Sequence, residues 1–547
     1  MKTNVSLCIV AALMVAACGD PSHRHNSGEK VSVINSTPDE VIEEDVEITS
    51  NEAALMEPSA NATSKMILSS PPPPQQRNAE TYKEIKENSF VAVAQQPVTT
   101  FSADIDRAAY ANVRRIIGYG QIPPKDAVRI EEMVNYFDYD YPAPEEGSVS
   151  PLRVSPELAP APWNPNHLLL RIGLQAKKID LAKAPPSNIV FLIDVSGSMD
   201  EENKLPLLKS SFKMLLGQLR PDDKIAIVTY ANGTKVALPS TSVKDKEKII
   251  KVLDNLYASG GTSGGKGIQL AYEQAQKSFI KNGNNRIILA TDGDFNIGIN
   301  NTTDLEKFIE KQRESGIYMS VLGFGIGNYR DDMAETIADK GNGNYAYIDN
   351  ITEAKKVLVN ELSGTLFAVA KDVKLQLEFN PKYVKEYKLI GYENRMLANE
   401  DFTNDKKDAG EIGAGHTVTA LYELVPSDGK VAQSLRYQSQ ELNEKGKGNE
   451  LGFLKIRYKD PKVKDAKSVE ITEPLVFNKK ALKETSTDYR FAASVAEFGI
   501  LLRDNSNKAN ATYGQVIELA EGAIGKDPEG YRKEFVRLVK SVKMLPK

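Results

Sequence analysis

Residues 188–198 read NIVFLIDVSGS: an unbroken apolar run from Ile189 to Ile193, then a carboxylate at Asp194 and hydroxyls at Ser196 and Ser198. An apolar run with no alternation predicts a strand buried on both faces, as in a parallel sheet covered by helices. Working outward, apolar runs at 224–230, 286–290, 318–324 and 345–348 predict further strands, with an antiparallel edge strand at 234–238. Helical periodicity occupies the intervals, at 204–218, 244–256, 265–281, 304–315, 329–340 and 353–366. Strand and helix in alternation over residues 186–366 predict an α/β domain, a doubly wound and mostly parallel Rossmann-like sheet.

The polar residues after these strands carry the candidate chemistry. Asp194, Ser196 and Ser198 stand at alternate positions in a strand-to-helix turn, so three oxygens can converge. The loop GGTSGG at 260–265 offers the hydroxyl of Thr262 on a backbone that glycine lets approach closely. The strand at 286–290 runs into Thr291-Asp292-Gly293-Asp294, which supplies a second carboxylate, and Asp294 and Asn296 stand beside it as candidates to tune ligand choice. In an open α/β sheet ligands bind beyond the carboxyl ends of the strands, where all three loops are expected to lie. Asp194, Ser196, Ser198, Thr262 and Asp292 form an all-oxygen set suited to a hard cation, Mg²⁺ before Ca²⁺, with Mn²⁺ also open. Two charged ligands among five leave a dication electrophilic, and a Glu or Asp from a partner protein would complete its shell. Taken alone, Asp-x-Ser-x-Ser could simply cap a helix.

In these residues the sequence resembles the von Willebrand factor type A domain and its metal-ion-dependent adhesion site, with Asp-x-Ser-x-Ser, the Thr loop and the Thr-Asp-Gly loop matched in order. The resemblance implies direct metal binding by Ser196 and Ser198, and direct or water-mediated binding by Asp194, Thr262 and Asp292. The stretches FSADIDRAAYANVRR at 101–115 and LIGYENRMLANEDF from 389 resemble the flanks of bacterial lipoproteins that carry such a domain.

Strand-like runs on either side of the α/β segment, at 168–174 before it and at 373–379, 387–392, 416–424, 452–458 and 469–476 after it, predict a β-sandwich into which the α/β domain is inserted. Residues 97–185 are read as N-terminal helices with the first sandwich strands, 367–480 as the β-rich domain and 481–547 as a C-terminal helical segment. A capped helix is expected at 107–119. Ile130, Met133, Val134 and Phe137 share one face of a second, Phe491, Val495, Phe498 and Leu502 of a third, and Tyr531, Phe535, Leu538 and Val542 of the last.

The N-terminus is expected to be a lipoprotein signal peptide, residues 1–18: Lys2, an apolar stretch from Val5 to Ala17, then Val15-Ala16-Ala17-Cys18, which resembles a lipobox with Cys18 as the lipidated residue. Residues 19–96, rich in Ser, Asn, Glu and Pro, are expected to be a disordered tether. Both cysteines, Cys8 and Cys18, lie in this leader, so no disulfide is expected in the body. Gly19 lacks the acidic character that can signal inner-membrane retention, which favours the outer membrane. With 69 basic and 74 acidic residues the charge is near balance, which argues against nucleic acid as a partner.

Catalysis is hard to place. The four histidines are His23, His25, His167 and His416, and neither His-Glu-x-x-His nor Gly-x-Ser-x-Gly occurs. No small-molecule substrate is therefore expected. The reading is a non-enzymatic, cation-dependent protein-binding module on a lipid anchor at the cell envelope. Two rivals stand beside it. GGTSGGKG at 260–267 nearly spells a P-loop, with Lys266 at the lysine position and Gly267 where Ser or Thr should hold Mg²⁺, which would make an NTP-dependent envelope enzyme. The other rival is a purely architectural lipoprotein. Gly323, Gly325 and Gly327 lack the dinucleotide spacing and read as the turn after a strand.

Overall fold

The computed structural model describes residues 80–103, 106–262, 264–293, 302–327, 329–428, 448–463, 466–504 and 508–545. Cys18, Asp294 and Asn296 lie outside the described residues.

The strand Ser187–Asp194 lies inside a six-stranded sheet ordered Tyr345–Tyr347, Ile317–Gly323, Asn284–Thr291, Ser187–Asp194, Lys224–Tyr230, Thr234–Ser242. All neighbours are parallel except the last pair. Because successive strand residues face opposite ways, Ile189, Phe191 and Ile193 enter the core formed with helices Leu205–Gln218 and Lys246–Asp254, and the Phe191 ring stacks on Phe212 at 4.0 Å. Val190 and Leu192 enter the opposite core, with Gly264–Lys277, Thr302–Arg313 and Asp331–Lys340. Two apolar faces require the unbroken run that the sequence shows. This is the α/β fold expected of the segment, with the predicted edge strand extending four residues further, to Ser242.

The flanks build a sandwich of two antiparallel sheets. One sheet is ordered Val91–Ala92, Val384–Ile390, Thr417–Pro426, Asn164–Ala176, Leu152–Ala161; the other holds Gly410–Gly413, Ala368–Phe379, Glu450–Lys459 and Val469–Val476, with Val98–Ser102 also paired to Ala368–Phe379. Leu168 to Leu174 runs antiparallel to Leu424 to Val418, so strands from before and after the α/β unit share one sheet. Leu168, Leu170, Ile172 and Leu174 face the second sheet, against Leu375, Leu377 and Leu454. Leu169 faces outward into a third core, shared with helices Thr487–Leu502, Tyr513–Glu521 and Tyr531–Met544. The α/β unit is thus inserted between Ala176 and Ala368.

Three expectations are corrected. The tether does not extend to residue 96: residues 80–96 are packed on the body, with Glu80 ion-paired to Arg115 at 2.9 Å, Thr81 bridged to Arg330 and Val91 paired with Tyr387. The segment docks through polar and backbone contacts and through Val91 and Val93, which pack on the sandwich core; its one apolar run, Phe90 to Ala94, is too short to stand out in polar sequence. The helix Ala108–Gly118 has no side-chain cap at Arg107; instead Glu132 of the next helix accepts the Ala109 N–H at 2.9 Å. The strand expected at 387–392 ends at Ile390, since Gly391 and Tyr392 take left-handed φ values of 75° and 61°. Among the described residues no helix is long and apolar enough to cross a membrane.

Candidate metal centre

Asp194 is the last residue of its strand, registered with Tyr230 on one side, while Ile193 pairs with Ala290 on the other. The chain then turns sharply, and Asp194 Oδ1 accepts both the Ser196 backbone N–H at 2.9 Å and the Ser196 hydroxyl at 2.6 Å. This short turn brings Ser196 Oγ to 3.1 Å from Ser198 Oγ. Asp292 follows the neighbouring strand Asn284–Thr291, and the Thr291 hydroxyl donates to Asp194 Oδ2 at 3.4 Å, tying the two strand ends together. Asp194, Ser196 and Asp292 are buried, whereas Ser198 is exposed and Thr262 half-buried. The group therefore has a sealed acidic floor and a rim open to solvent.

Thr262 sits on a loop stitched to this turn from both sides. Gly197 N–H donates to the Gly260 carbonyl at 2.9 Å, and Ser259 N–H to the Val195 carbonyl at 2.8 Å. Asn232, just beyond the strand Lys224–Tyr230, accepts Gly261 N–H at 2.6 Å. Gly260 has φ of +80°, and a Cβ there would overlap the Asn232 amide, so glycine is required for the approach. The structure joins Asp194, Ser196 and Ser198 through hydrogen bonds and short contacts, and links Asp292 to Ser198 through the Lys204 ammonium. It places Thr262 two residues from the Gly260 stitch, with no hydrogen bond among the described residues linking it to the other four.

Electrostatics distinguish this group. Burial raises the Asp194 carboxyl to about 6; hydrogen bonds from Ser196 oppose the rise and the charge of Asp292 adds to it. A cation reaches the pair: Lys204 Nζ lies 3.2 Å from Asp292 Oδ2 and 2.9 Å from the Ser198 carbonyl. Sequence reasoning missed Lys204, because a lone lysine ahead of an amphipathic helix carries no signal of its destination. Two buried carboxylates against one ammonium, with hydroxyls able to turn their lone pairs outward, form a donor set that fits a divalent cation. Among the described residues no three His, Cys, Asp or Glu side chains cluster as a metal site, so any such ion depends on the hydroxyls.

The P-loop likeness finds no matching context. A P-loop needs a buried strand leading into it, whereas the glycine loop here follows helix Lys246–Asp254, and Lys266 is exposed within Gly264–Lys277. His167 contacts Glu423 at 2.5 Å on the sandwich, and His416 is packed against Gly364. The turn after Ile317–Gly323 holds Gly325 and Gly327 at φ of 80° and 101°.

Comparison with known proteins places this geometry in context. The family described as von Willebrand factor type A domain matches residues 188–360, that described as von Willebrand factor matches 76–171, and that described as Uncharacterized protein YfbK, C-terminal, matches 364–545. The chain is 26% identical to Uncharacterized protein sll0103 of Synechocystis sp. over 60% of this chain and 74% of that protein. It is 26% identical to inter-alpha-trypsin inhibitor heavy chain H3 of Mesocricetus auratus over 44% of this chain and 29% of that one. Among solved structures, von Willebrand factor type A from Catenulispora acidiphila aligns with 71% of this chain and 89% of its own, at 16% identity and a TM-score of 0.40. Uncharacterized protein YfbK of Escherichia coli (strain K12) is 48% identical over 84% of this chain and 80% of its own length. With that relative and the domain matches in agreement, the chain belongs to the YfbK family of proteins that carry a von Willebrand factor type A domain.

Proposed function

We propose that the α/β unit is a divalent-cation-dependent protein-binding module, an adhesion or scaffold device that accepts a partner Glu or Asp at its metal. Its domain type is that of a protein-interaction or adhesion module. The observation that carries the finer reading is the pairing of two buried carboxylates, Asp194 and Asp292, with a solvent-facing hydroxyl rim at the ends of adjacent strands. Asp194, Ser196, Ser198 and Asp292 would hold Mg²⁺, with Thr262 on the stitched loop; Mn²⁺ or Ca²⁺ are the alternatives. Bound there, the ion supplies a positive centre for an outside carboxylate.

The envelope location rests on the N-terminal sequence: lipidation of Cys18 would tether the chain to a membrane, the outer membrane in this reading, and a Cys18→Ser variant is then expected in the soluble fraction. The module is proposed as a binder with no reaction of its own. The deciding experiment is thermal unfolding with and without Mg²⁺. The wild type should gain stability by mass action at millimolar Mg²⁺ and Asp194→Ala should not. Equal curves for both proteins under both conditions would end the metal reading.

A further inference from the structure

Lys204 is held against the candidate centre by construction. Its side chain is only 4% exposed, and its ammonium meets Asp292 Oδ2, the Ser198 carbonyl and, at 3.5 Å, the carboxylate of Glu201. Its methylenes lie over Gly325, whose φ of +80° and bare α-carbon make the space; a Cβ at that position would overlap them. A mobile surface lysine would need no such bed.

We propose that Lys204 is a built-in counter-ion that sets the charge of the metal centre and thereby selects a carboxylate-bearing partner; this rests on the metal-dependent reading above. Counted over Asp194, Asp292 and Lys204, with the exposed Glu201 carboxylate left to solvent, the floor carries one net negative charge. A dication brings the loaded centre to one net positive charge, where without Lys204 it would be neutral. In a buried setting that difference acts at low effective dielectric, so the loaded centre attracts an anion from outside. The same ammonium competes with the ion for Asp292 and repels it. Lys204 therefore weakens metal binding and strengthens carboxylate binding. Opposite signs are what a merely structural role cannot produce, because damage to the turn would weaken both.

The test uses the detergent-solubilised full chain, with Mn²⁺ as the probe and free Mn²⁺ read by electron paramagnetic resonance. Acetate is then titrated into the Mn²⁺-loaded protein, followed by water-proton relaxation. Lys204→Met, which keeps the buried methylenes, should bind Mn²⁺ about ten-fold tighter than wild type, the low end of what a neighbouring like charge does to an equilibrium, and should bind acetate about three-fold or more weaker. Lys204→Gln should behave in the same way and guards against a folding defect in the first variant. Mn²⁺ affinity unchanged or reduced in both variants, with wild type binding, overturns the counter-ion role and leaves the metal reading intact. Tighter Mn²⁺ with unchanged acetate overturns the partner-selecting half. Binding by the variants alone supports the counter-ion role, and no binding by any of the three proteins overturns this proposal together with the metal reading.

Discussion

Two groups of buried carboxylates, one at the proposed metal centre and one where the α/β unit meets its flanks, are satisfied in different ways. At the junction the donors are guanidinium, phenol and amide groups. Arg129 lies between Glu132 and Asp331, which it meets at 2.7 Å, and Asp331 also accepts from Tyr345 at 2.6 Å and Asn112 at 3.2 Å. Arg395 joins Asp106, Glu335 and Asp339 at 2.9, 3.2 and 2.7 Å. A guanidinium only donates, and its planar fork fixes the carboxylates in place. At the centre, among the described residues, the donors include seryl and threonyl hydroxyls, the Ser196 backbone N–H and the Lys204 ammonium. A seryl hydroxyl that donates to Asp194 keeps lone pairs for a cation on its other side. Burial is common to both groups, and the chemistry of the donor separates a clamp from the proposed binding site.

The sharpest way to break this comparison is to remove a clamp. Arg129→Met strands Asp331 and Glu132 and should cost about 3–5 kcal/mol in urea unfolding, the usual penalty for leaving one partner of a buried ion pair; a loss under about 1 kcal/mol would mean the junction is no clamp. The corresponding change at the centre should act in the opposite direction. Asp194 keeps its proton up to about pH 6 in the folded chain against about 3.9 unfolded, so metal-free stability falls as pH rises through that window. Asp194→Asn should raise metal-free stability at pH 7.5 by about 2 kcal/mol while abolishing the response to Mg²⁺. The shift in melting temperature that Mg²⁺ gives the wild type should grow between pH 5 and 7, as the ion takes the place of the proton.

A third measurement refines the boundary between the two groups. His416, sealed between the end of the α/β unit and the sandwich, is pushed down to about 4 by burial, with the Arg107 charge adding. Its ring stays neutral in the fold, so it contributes stability above pH 6.5 that is lost progressively as pH falls toward 4. His416→Gln should flatten that acid limb by about 1–2 kcal/mol. The smallest effect belongs to Lys266→Ala: exposed on its helix, it should move stability by less than about 0.5 kcal/mol, with or without Mg-ATP.

The sheet was legible because burial on two faces writes an unbroken apolar run, and Ile189 to Ile193 needed nothing else. Asp194, Ser196, Ser198 and Asp292 were legible because strand ends in such a sheet share one edge. Lys204 was not, since its partner stands 88 residues away and is reached only through the turn. The strap at Glu80 and Thr81 was hidden for a related reason: backbone pairing with Tyr329 and Asp331 leaves no side-chain pattern. The Arg129 and Arg395 clamps depend on charges brought together from distant elements, which spacing along one helix cannot reveal.

The insertion of the α/β unit between Ala176 and Ala368 has a mechanical consequence. Its two attachment points belong to different sheets, Asn164–Ala176 to one and Ala368–Phe379 to the other. A load taken up by the inserted unit is divided between the two layers, and it enters each through an interior strand, hydrogen-bonded on both sides, rather than through an edge.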